Sequence, residues 1–243
     1  MTEPLTREAL TGDPVQVARR LLGARIVHED AGGTTTVRLT EVEAYAGADD
    51  PGSHAYRGRT PRTEVMFSVP GRLYVYFSYG MHWCANVVCG TDGVAAAVLL
   101  RAGEVVDGVE VARSRRPAAR RDVDLARGPA RLTAALGIHG THGGTDLCAP
   151  GAAIRLEAPS RPADAVRSGP RVGVSGPGGD AAGFPWRFWI DGDPTVSVYR
   201  PAQPRRRAAP GGETLAADRN VPAGRTGPAR SVRPAPRTQE RPT

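Results

Sequence analysis

Two carboxylates stand two positions apart, Glu41 and Glu43, in the segment TEVEAY at residues 40–45. A carboxylate can orient and deprotonate a water molecule, and a pair of carboxylates can cleave a glycosidic bond. Strand alternation predicts that both share an inward-facing side with Val37 and Leu39. A buried carboxylate is costly unless it has a partner or a function, and from spacing alone an ion pair with an arginine is the simpler interpretation.

Aromatic side chains are concentrated in one short stretch. Five of the thirteen fall within ten consecutive residues, although aromatic residues make up only 5% of the chain. In a β-hairpin, Tyr74, Phe77 and Trp83 are expected to form cross-strand core pairs. Tyr79 precedes a glycine at the expected hairpin tip, where a large side chain has little core to fill. It is suited to act as a wedge in a base stack.

A polar, turn-rich loop is predicted at residues 46–71, and ordered loops of this length are often functional. It carries three arginines that would either be solvated or contact phosphates: Arg57, Arg59 and Arg62. Its histidine, His54, is uninformative when taken alone.

The cysteines and histidines do not indicate a metal site or a disulfide framework. Cys84, Cys89 and Cys148 are odd in number and lack CxxC spacing. His139 and His142 lie with Cys148 in a glycine-rich loop that matches no recognised ligand pattern. We therefore expect free thiols, no metal and no cofactor.

The formal net charge of +7 is unevenly distributed. Residues 204–243 contain nine arginines and three acidic residues, so they carry +6 and the rest of the chain +1. This segment is rich in Pro, Arg, Ala and Gly without periodicity, so we predict a single domain at residues 1–203 followed by a disordered tail. Such a tail would add salt-dependent DNA affinity or be solvated without a specific role.

These residues must be positioned by helices and strands. A helix is predicted at residues 13–23 and a second between Gly128 and Gly137. Hairpins are predicted from 24–28 with 34–45 and from 72–79 with 82–88, then a buried strand at 94–101 and a helix at 104–116. Further short strands are predicted at residues 153–157, 171–175, 186–191 and 195–199. The pattern indicates one α+β domain.

Membrane and secretory classes are not favoured. No apolar run is long enough to span a bilayer, and the first residues, MTEPLTREAL, lack the features of a secretory signal. We therefore expect no membrane partner and, by default, a cytoplasmic protein.

Several ordered motifs resemble those of the alkyladenine (3-methyladenine) DNA glycosylase family of the mammalian type. The longest are TEVEAYAGADDPGSHAYRGRTPRTEVMF and LYVYFSYGMHWCANVV, and VLLRA, LARGPARLTAALGI, RVGVS and WRF follow in order. The resemblance covers most of residues 5–200. It implies an α+β domain with a curved antiparallel sheet, flanking helices and a protruding hairpin that inserts into DNA, similar to the C-terminal domain of formyltransferases.

The resemblance also implies catalytic residues and a base pocket. Glu43 would be the general base, while Arg101 and the backbone carbonyl of Val172 would help hold the attacking water. The flipped base would stack between Tyr45 on one side and two further side chains, His54 and Tyr76, on the other.

Other implied roles concern discrimination between bases and contacts with the DNA duplex. The resemblance implies that Asn86 lines the pocket floor, where it would exclude the 2-amino group of guanine. Tyr79 would intercalate. Local phosphate contacts would come from Arg57, Arg59 and Arg62.

The implied function is base-excision repair by a monomer acting on double-stranded DNA, in the bacterial cytoplasm or, in a eukaryote, the nucleus. Alkylated or deaminated purines (3-methyladenine, 7-methylguanine, hypoxanthine or ethenoadenine) would be flipped out and their N-glycosidic bonds hydrolysed. All 32 basic residues are arginine. Because glycosylases that cut the strand usually attack through an amine, hydrolysis without lyase activity is expected.

Two alternatives remain open. One is a non-catalytic nucleic-acid binding module of the same fold. The other is a hydrolase of small nucleosides or sugars that uses Glu41 and Glu43 as a pair. Glu43 in its E-A-Y context weighs against the first, and Tyr79 with the arginine loop weighs against the second.

Overall fold

The computed structural model describes residues 3–78 and 80–202. Within these residues the chain forms eight β-strands and three α-helices. The strands are β1 (Arg25–Asp30), β2 (Gly33–Tyr45), β3 (Leu73–Ser78), β4 (His82–Val88), β5 (Ala97–Asp107), β6 (Ile154–Glu157), β7 (Val166–Gly169) and β8 (Arg187–Ile190). The helices are α1 (Pro14–Leu21), α2 (Val109–Arg115) and α3 (Pro129–Leu136). Every pairing between these strands is antiparallel, which confirms the predicted α+β class.

The beginning of α1 and the end of α3 follow from the sequence as predicted, whereas α1 ends at Leu21, two residues before the predicted Gly23. The carboxylate of Asp13 accepts a hydrogen bond from the Gln16 amide at 3.0 Å, and Pro14 occupies the first turn, where a missing N–H has no cost. Helix α3 ends at Gly137, whose φ of 72° lies in the left-handed region that favours glycine. The predicted helix at 104–116 is shorter, because β5 continues to Asp107 before α2 begins.

Strand β2 is the centre of the sheet. The order is β3-β4-β5-β2-β1-β6, with β8 also pairing with β2 and β7 pairing with β8. One edge of β2 faces β5. The other edge is shared, since β1 pairs with it up to Arg38 and β8 pairs with it from Glu41.

The ladder between β2 and β5 is irregular near the middle of β2. Leu39 pairs with Gly103 and Glu41 pairs with Ala102, which leaves Thr40 as an extra residue on β2. In the next step Val42 pairs with Leu100, so Arg101 is an extra residue on β5. Such bulges bend a strand and redirect the side chains that follow them.

The bulge reverses which side chains of β2 face the main hydrophobic core. Val37 and Leu39 belong to this core before the bulge, whereas Val42 and Ala44 belong to it afterwards. The odd-numbered positions after the bulge, including Glu43, therefore face the opposite side of the sheet. The prediction that Glu41 and Glu43 share a face with Val37 and Leu39 is wrong for this reason.

Two predicted strands, at residues 171–175 and 195–199, are not strands. Their backbone amides bind carboxylates instead of a ladder: Val172 donates to Glu43 at 2.7 Å and Ser197 donates to Glu41 at 2.7 Å. Apolar alternation in these segments therefore indicated neither sheet pairing nor full burial, since Val198 and Tyr199 are exposed.

Among the residues described, no helix combines the length and apolar character needed to cross a membrane. The proposed tail at residues 204–243 and the wedge residue Tyr79 lie outside the described residues.

Candidate active site

A row of side chains crosses four strands on the face opposite the main core. Directly paired residues of antiparallel strands present their side chains to the same face. Glu43 on β2 pairs with Leu99 on β5, Leu99 pairs with Asn86 on β4, and Asn86 pairs with Tyr74 on β3. Tyr76 lies two positions further along β3 and so shares this face. The sheet thereby brings together residues that the sequence places far apart.

The carboxylate of Glu43 is held by three donors and has no exposed surface. Its Oε1 accepts a hydrogen bond from the Val172 amide at 2.7 Å and lies 3.3 Å from Nη1 of Arg101. Its Oε2 accepts a hydrogen bond from the Tyr45 hydroxyl at 2.9 Å. This set satisfies a buried charge while leaving lone-pair capacity on Oε2 for a further donor.

Tyr45 acts as a neutral donor in this arrangement. Burial raises the pKa of its hydroxyl well above the usual value, and the neighbouring Glu43 carboxylate raises it further. The proton consequently stays on the Tyr45 oxygen, which donates it in a hydrogen bond to Oε2 of Glu43.

Arg101 is held in place by Glu41, the other buried carboxylate on β2. Its Nε donates to Oε1 of Glu41 at 2.8 Å, and Nε of Arg187 donates to the same oxygen at 2.6 Å. Oε2 of Glu41 accepts the amide of Ser197. Burial raises the pKa of Glu41, but Arg101 and Arg187 outweigh it, so the net pKa is lowered. Glu41 is thus an ionised anchor for two arginines.

The rings of His54, Tyr74 and Tyr76 form an aromatic wall. The His54 and Tyr76 ring centroids are 4.5 Å apart with an interplanar angle of 83°, and the Tyr74 and Tyr76 centroids are 5.6 Å apart at 30°. Nδ1 of His54 lies 3.1 Å from the Tyr74 hydroxyl. Tyr74 was expected to be a cross-strand core pair. It is buried, but in a smaller cluster beside the site, where it positions His54.

His54 carries little positive charge near neutral pH. Although the His54 side chain remains partly exposed, partial removal of water by its surroundings, followed by the nearby Arg62 guanidinium, lowers the pKa of His54 to about 4. The aromatic wall is therefore formed by uncharged rings.

Asn86 lies on the same face of the sheet as Tyr74 and Tyr76, whereas the hairpin pair Phe77 and Trp83 lies on the opposite face. The Asn86 side chain is buried, and its Nδ2 donates to the backbone carbonyl of Tyr74 at 3.1 Å, which fixes the orientation of the amide. Phe77 and Trp83 form the predicted cross-strand pair, with ring centroids 4.7 Å apart, but Phe77 is exposed, so the prediction that this pair belongs to the core is wrong.

The loop arginines are all exposed but differ in their contacts. Arg59 pairs with Glu64 at 2.6 Å. The guanidinium of Arg62 lies over the Tyr76 ring, 5.5 Å from its centroid. Within the described residues, no ion pair involves Arg57.

One arginine that the sequence analysis did not single out adjoins the site. Arg171 has no exposed side-chain surface and forms a doubly hydrogen-bonded ion pair with Asp50, which is equally buried. Its guanidinium lies over the Tyr45 ring at 4.5 Å. The available signal was its position in R-V-G-V, directly before Val172.

The histidine-rich loop has a structural arrangement of its own. Nδ1 of His142 accepts the backbone amide of His139 at 3.1 Å, and the two rings lie 4.3 Å apart. Across residues 3–78 and 80–202, no cluster of three or more His, Cys, Asp or Glu side chains is suited to a metal ion.

Comparison with known proteins decides the family. The family described as Methylpurine-DNA glycosylase matches residues 8–194. A Streptomyces avermitilis protein is 56% identical over 206 residues, which cover 84% of this chain and 95% of that protein. A Nocardia farcinica protein is 54% identical over 218 residues (87% and 97%), and a Mycobacterium tuberculosis protein is 51% identical over 201 residues (81% and 94%). All three carry the name "Putative 3-methyladenine DNA glycosylase".

The chain belongs to the methylpurine-DNA glycosylase family. The family resemblance of the sequence motifs is thereby confirmed. This glycosylase is a DNA-repair hydrolase that acts on N-glycosyl bonds and binds DNA as its substrate. In its structure Arg101, Val172 and Tyr45 contact the Glu43 carboxylate. The rings of His54 and Tyr76 lie beside this group.

Proposed function

We propose that this glycosylase flips an alkylated or deaminated purine from duplex DNA and hydrolyses its N-glycosidic bond with a water molecule activated by Glu43. The observation that carries the proposal is the buried carboxylate of Glu43, held by Val172, Arg101 and Tyr45 beside an aromatic wall. A target base cannot be reached inside the stack, so extrusion precedes chemistry.

Glu43 would orient the water and accept its proton as the water attacks C1′ of the sugar. The donors on Oε1 keep the carboxylate in one orientation, and Oε2 retains lone-pair capacity to accept a hydrogen bond from water. The negative charge would also stabilise an oxocarbenium-like sugar, as in glycosidases. Arg101, and the Val172 carbonyl inferred from the family motif, would hold the water from the other side.

The flipped purine would stack between Tyr45 and the wall formed by Tyr76 and His54. Stacking of a base on aromatic side chains contributes roughly 1–3 kcal/mol per base. Because the pKa of His54 is lowered to about 4, the wall would not repel a cationic alkylated purine, and Tyr45 and Tyr76 would attract it through cation–π interactions.

Asn86 supports discrimination against normal guanine. Its Nδ2 is bound to the Tyr74 carbonyl, so the amide cannot turn freely to accommodate a new partner. A 2-amino group facing it would clash or remain unpaired, which disfavours binding.

DNA contacts would come from the hairpin and the loop. Tyr79 would fill the gap left by the flipped nucleotide and offset part of the unstacking cost. Arg57 would contact a phosphate directly. Arg59 would break its ion pair with Glu64 to bind a phosphate, and Arg62 would move off the Tyr76 ring to do so.

The lesion range that we propose is 3-methyladenine, 7-methylguanine, hypoxanthine and ethenoadenine. The lysine-free chain supports simple hydrolysis without strand cleavage. We propose that the enzyme acts as a monomer at the chromosome, which in bacteria like the sources of its relatives lies in the cytoplasm.

The contacts of Glu41 bear on the hydrolase alternative. A glycosidase pair requires two available carboxyl groups. Glu41 is bound by Arg101, Arg187 and the Ser197 amide, so it is occupied. Glu43 therefore acts without a second carboxylate.

Replacing Glu43 tests the proposal directly. We expect Glu43→Gln to abolish excision of hypoxanthine from duplex DNA in single-turnover assays, while affinity for the same duplex stays near normal, because the amide keeps the shape but cannot accept the proton. The matched control is Glu104→Gln, which alters an exposed carboxylate on β5 and should retain the wild-type rate.

Excision that survives Glu43→Gln would overturn the general-base assignment. Incubation of wild-type enzyme with hypoxanthine-containing duplex and with free inosine separates the alternatives. Release of base from the duplex only is expected; release from inosine would favour the small-molecule hydrolase, and no release from either would favour the binding module.

A further inference from the structure

Resting on the proposed role of Glu43, we propose that the buried Arg171–Asp50 pair is a positioning pair. It holds the stacking ring of Tyr45 and the amide of Val172 in register with the Glu43 carboxylate. Neither Arg171 nor Asp50 would touch the substrate.

The pair is a built structural feature with a fixed orientation. Nη1 of Arg171 donates to Oδ2 of Asp50 at 2.6 Å and Nη2 donates to Oδ1 at 2.6 Å. The same nitrogens donate to the carbonyls of Ala44 at 2.9 Å and Gly178 at 2.6 Å. Four acceptors in the plane of one guanidinium leave it a single orientation.

The first consequence of this orientation concerns Tyr45. The guanidinium carbon of Arg171 lies 4.5 Å from the centroid of the Tyr45 ring, and the Ala44 carbonyl that Arg171 binds belongs to the preceding residue. One face of Tyr45 is thereby backed by a rigid plane. A base would then stack on the other face of a ring that cannot tilt away.

The second consequence concerns Glu43. Val172 follows Arg171 in the chain, and its amide donates to Oε1 of Glu43 at 2.7 Å. This amide belongs to the peptide unit that follows the Cα of Arg171, so anchoring the Arg171 side chain restrains the backbone that carries it. The pair therefore controls two contacts of the site from one point.

The surroundings of Arg171 explain why it is confined. Gly52 and Gly178 lie against it, and a Cβ added to Gly52 would collide with the guanidinium, while one added to Gly178 would collide with the backbone of Gly52. Both glycines close the slot around the pair. A lysine at position 171 could not reproduce the four planar bonds.

Asp50→Asn tests this inference against a matched control. Asp146→Asn weakens another arginine–aspartate pair, Arg7–Asp146, whose contacts do not include the site residues. With hypoxanthine-containing duplex at saturation, Asp50→Asn should lower the single-turnover rate tenfold to about a hundredfold, as small misplacements of reacting groups do. Asp146→Asn should stay within about twofold of wild type, since it leaves the site geometry unchanged.

Binding readouts separate positioning from general loss of structure. Affinity for an abasic-site duplex should be alike in the two variants, since neither changes the DNA surface. Fluorescence quenching of an ethenoadenine-containing duplex, which reports stacking of the flipped base, should be weakened only by Asp50→Asn. Asp50→Glu keeps the ion pair but shifts it by one methylene, and we expect an intermediate rate from it.

Several outcomes would overturn the inference. If Asp50→Asn matches Asp146→Asn in rate and quenching, the pair is structural only. If Asp50→Asn does not fold, Asp50→Glu decides: a wild-type rate from it removes the positioning role. Glu43→Gln is assayed in parallel, because an active Glu43→Gln sinks the proposed function, whereas an inactive one with an active Asp50→Asn sinks only the positioning role.

Discussion

Glu41 and Glu43 show how different neighbouring groups give two side chains of the same type different surroundings. Both are fully buried, two positions apart on β2. Glu41 is neutralised by two guanidinium groups, whereas Glu43 has one guanidinium, one hydroxyl and one amide. Glu41 is fully occupied by its partners, whereas Oε2 of Glu43 accepts only the Tyr45 hydroxyl and keeps lone-pair capacity for a further donor.

His54 gives a prediction about pH. Its pKa is lowered to about 4 in the folded protein, against an ordinary value of 6.5 in an unfolded chain. Between these values the unfolded state binds more protons, so the stability that His54 contributes is complete above pH 6.5 and is lost as the pH falls toward 4. The free energy of unfolding of wild type should therefore decline more steeply over this window than that of His54→Asn.

Urea unfolding at several pH values between 4 and 7 measures this difference. In parallel, the His54 ring protons followed by NMR should titrate with a midpoint near 4. Parallel stability curves together with a midpoint near 6.5 would show that the ring is hydrated and charged in the folded protein.

The motifs were sufficient to predict that Glu43, Tyr45, His54 and Tyr76 belong to one site. They could not reveal the Arg171–Asp50 pair, whose members are 121 positions apart and whose types also suit a solvated surface. Tyr74 is buried in a hydrophobic cluster as expected, but its hydroxyl contact with His54 was not predicted, because it depends on how a loop folds over a strand, which alternation does not specify.

Among the secondary-structure elements, the sequence predicted most strands and helices but not the bulge in β2. The apolar residues change from odd positions (Val37 and Leu39) to even positions (Val42 and Ala44) across Thr40 and Glu41, but the prediction extended one unbroken period of two through Glu43. The bulge residue Thr40 is tied to Thr195 by a hydroxyl contact of 2.8 Å, a long-range interaction that no local pattern contains.

The β3–β4 hairpin carries a prediction about DNA binding. Tyr79→Ser should weaken binding to an abasic-site duplex, because a small polar side chain cannot fill the space left in the stack. Tyr79→Phe, which keeps the ring, should bind nearly as well as wild type. Affinities measured by fluorescence anisotropy decide the matter, and equal values for the serine variant and wild type would remove the wedge role.

For the whole molecule, most of the formal net charge belongs to the last forty residues of the sequence. Residues 1–203 carry a formal charge of +1, and residues 204–243 carry +6. Deleting residues 204–243 should therefore lower affinity for undamaged DNA and flatten the slope of log K against log salt, which reports the number of phosphates neutralised. The single-turnover rate at saturation should be unchanged.

Identical salt slopes for the full and shortened chains would mean that the tail has no part in DNA binding. A drop in the single-turnover rate would contradict the separation of charge from chemistry. A chain shortened to end before residue 200 would be a poor substitute, because it would also lose the Arg200 carbonyl, which accepts a hydrogen bond from the Gly173 amide.

The amide donors to the two carboxylates come late in the chain. Val172 lies 129 positions after Glu43, and Ser197 lies 156 positions after Glu41. During synthesis, the strand that bears both acids leaves the ribosome long before the segments that complete their surroundings. A nascent chain therefore cannot complete the hydrogen bonds of these two carboxylates until nearly the whole domain has been translated.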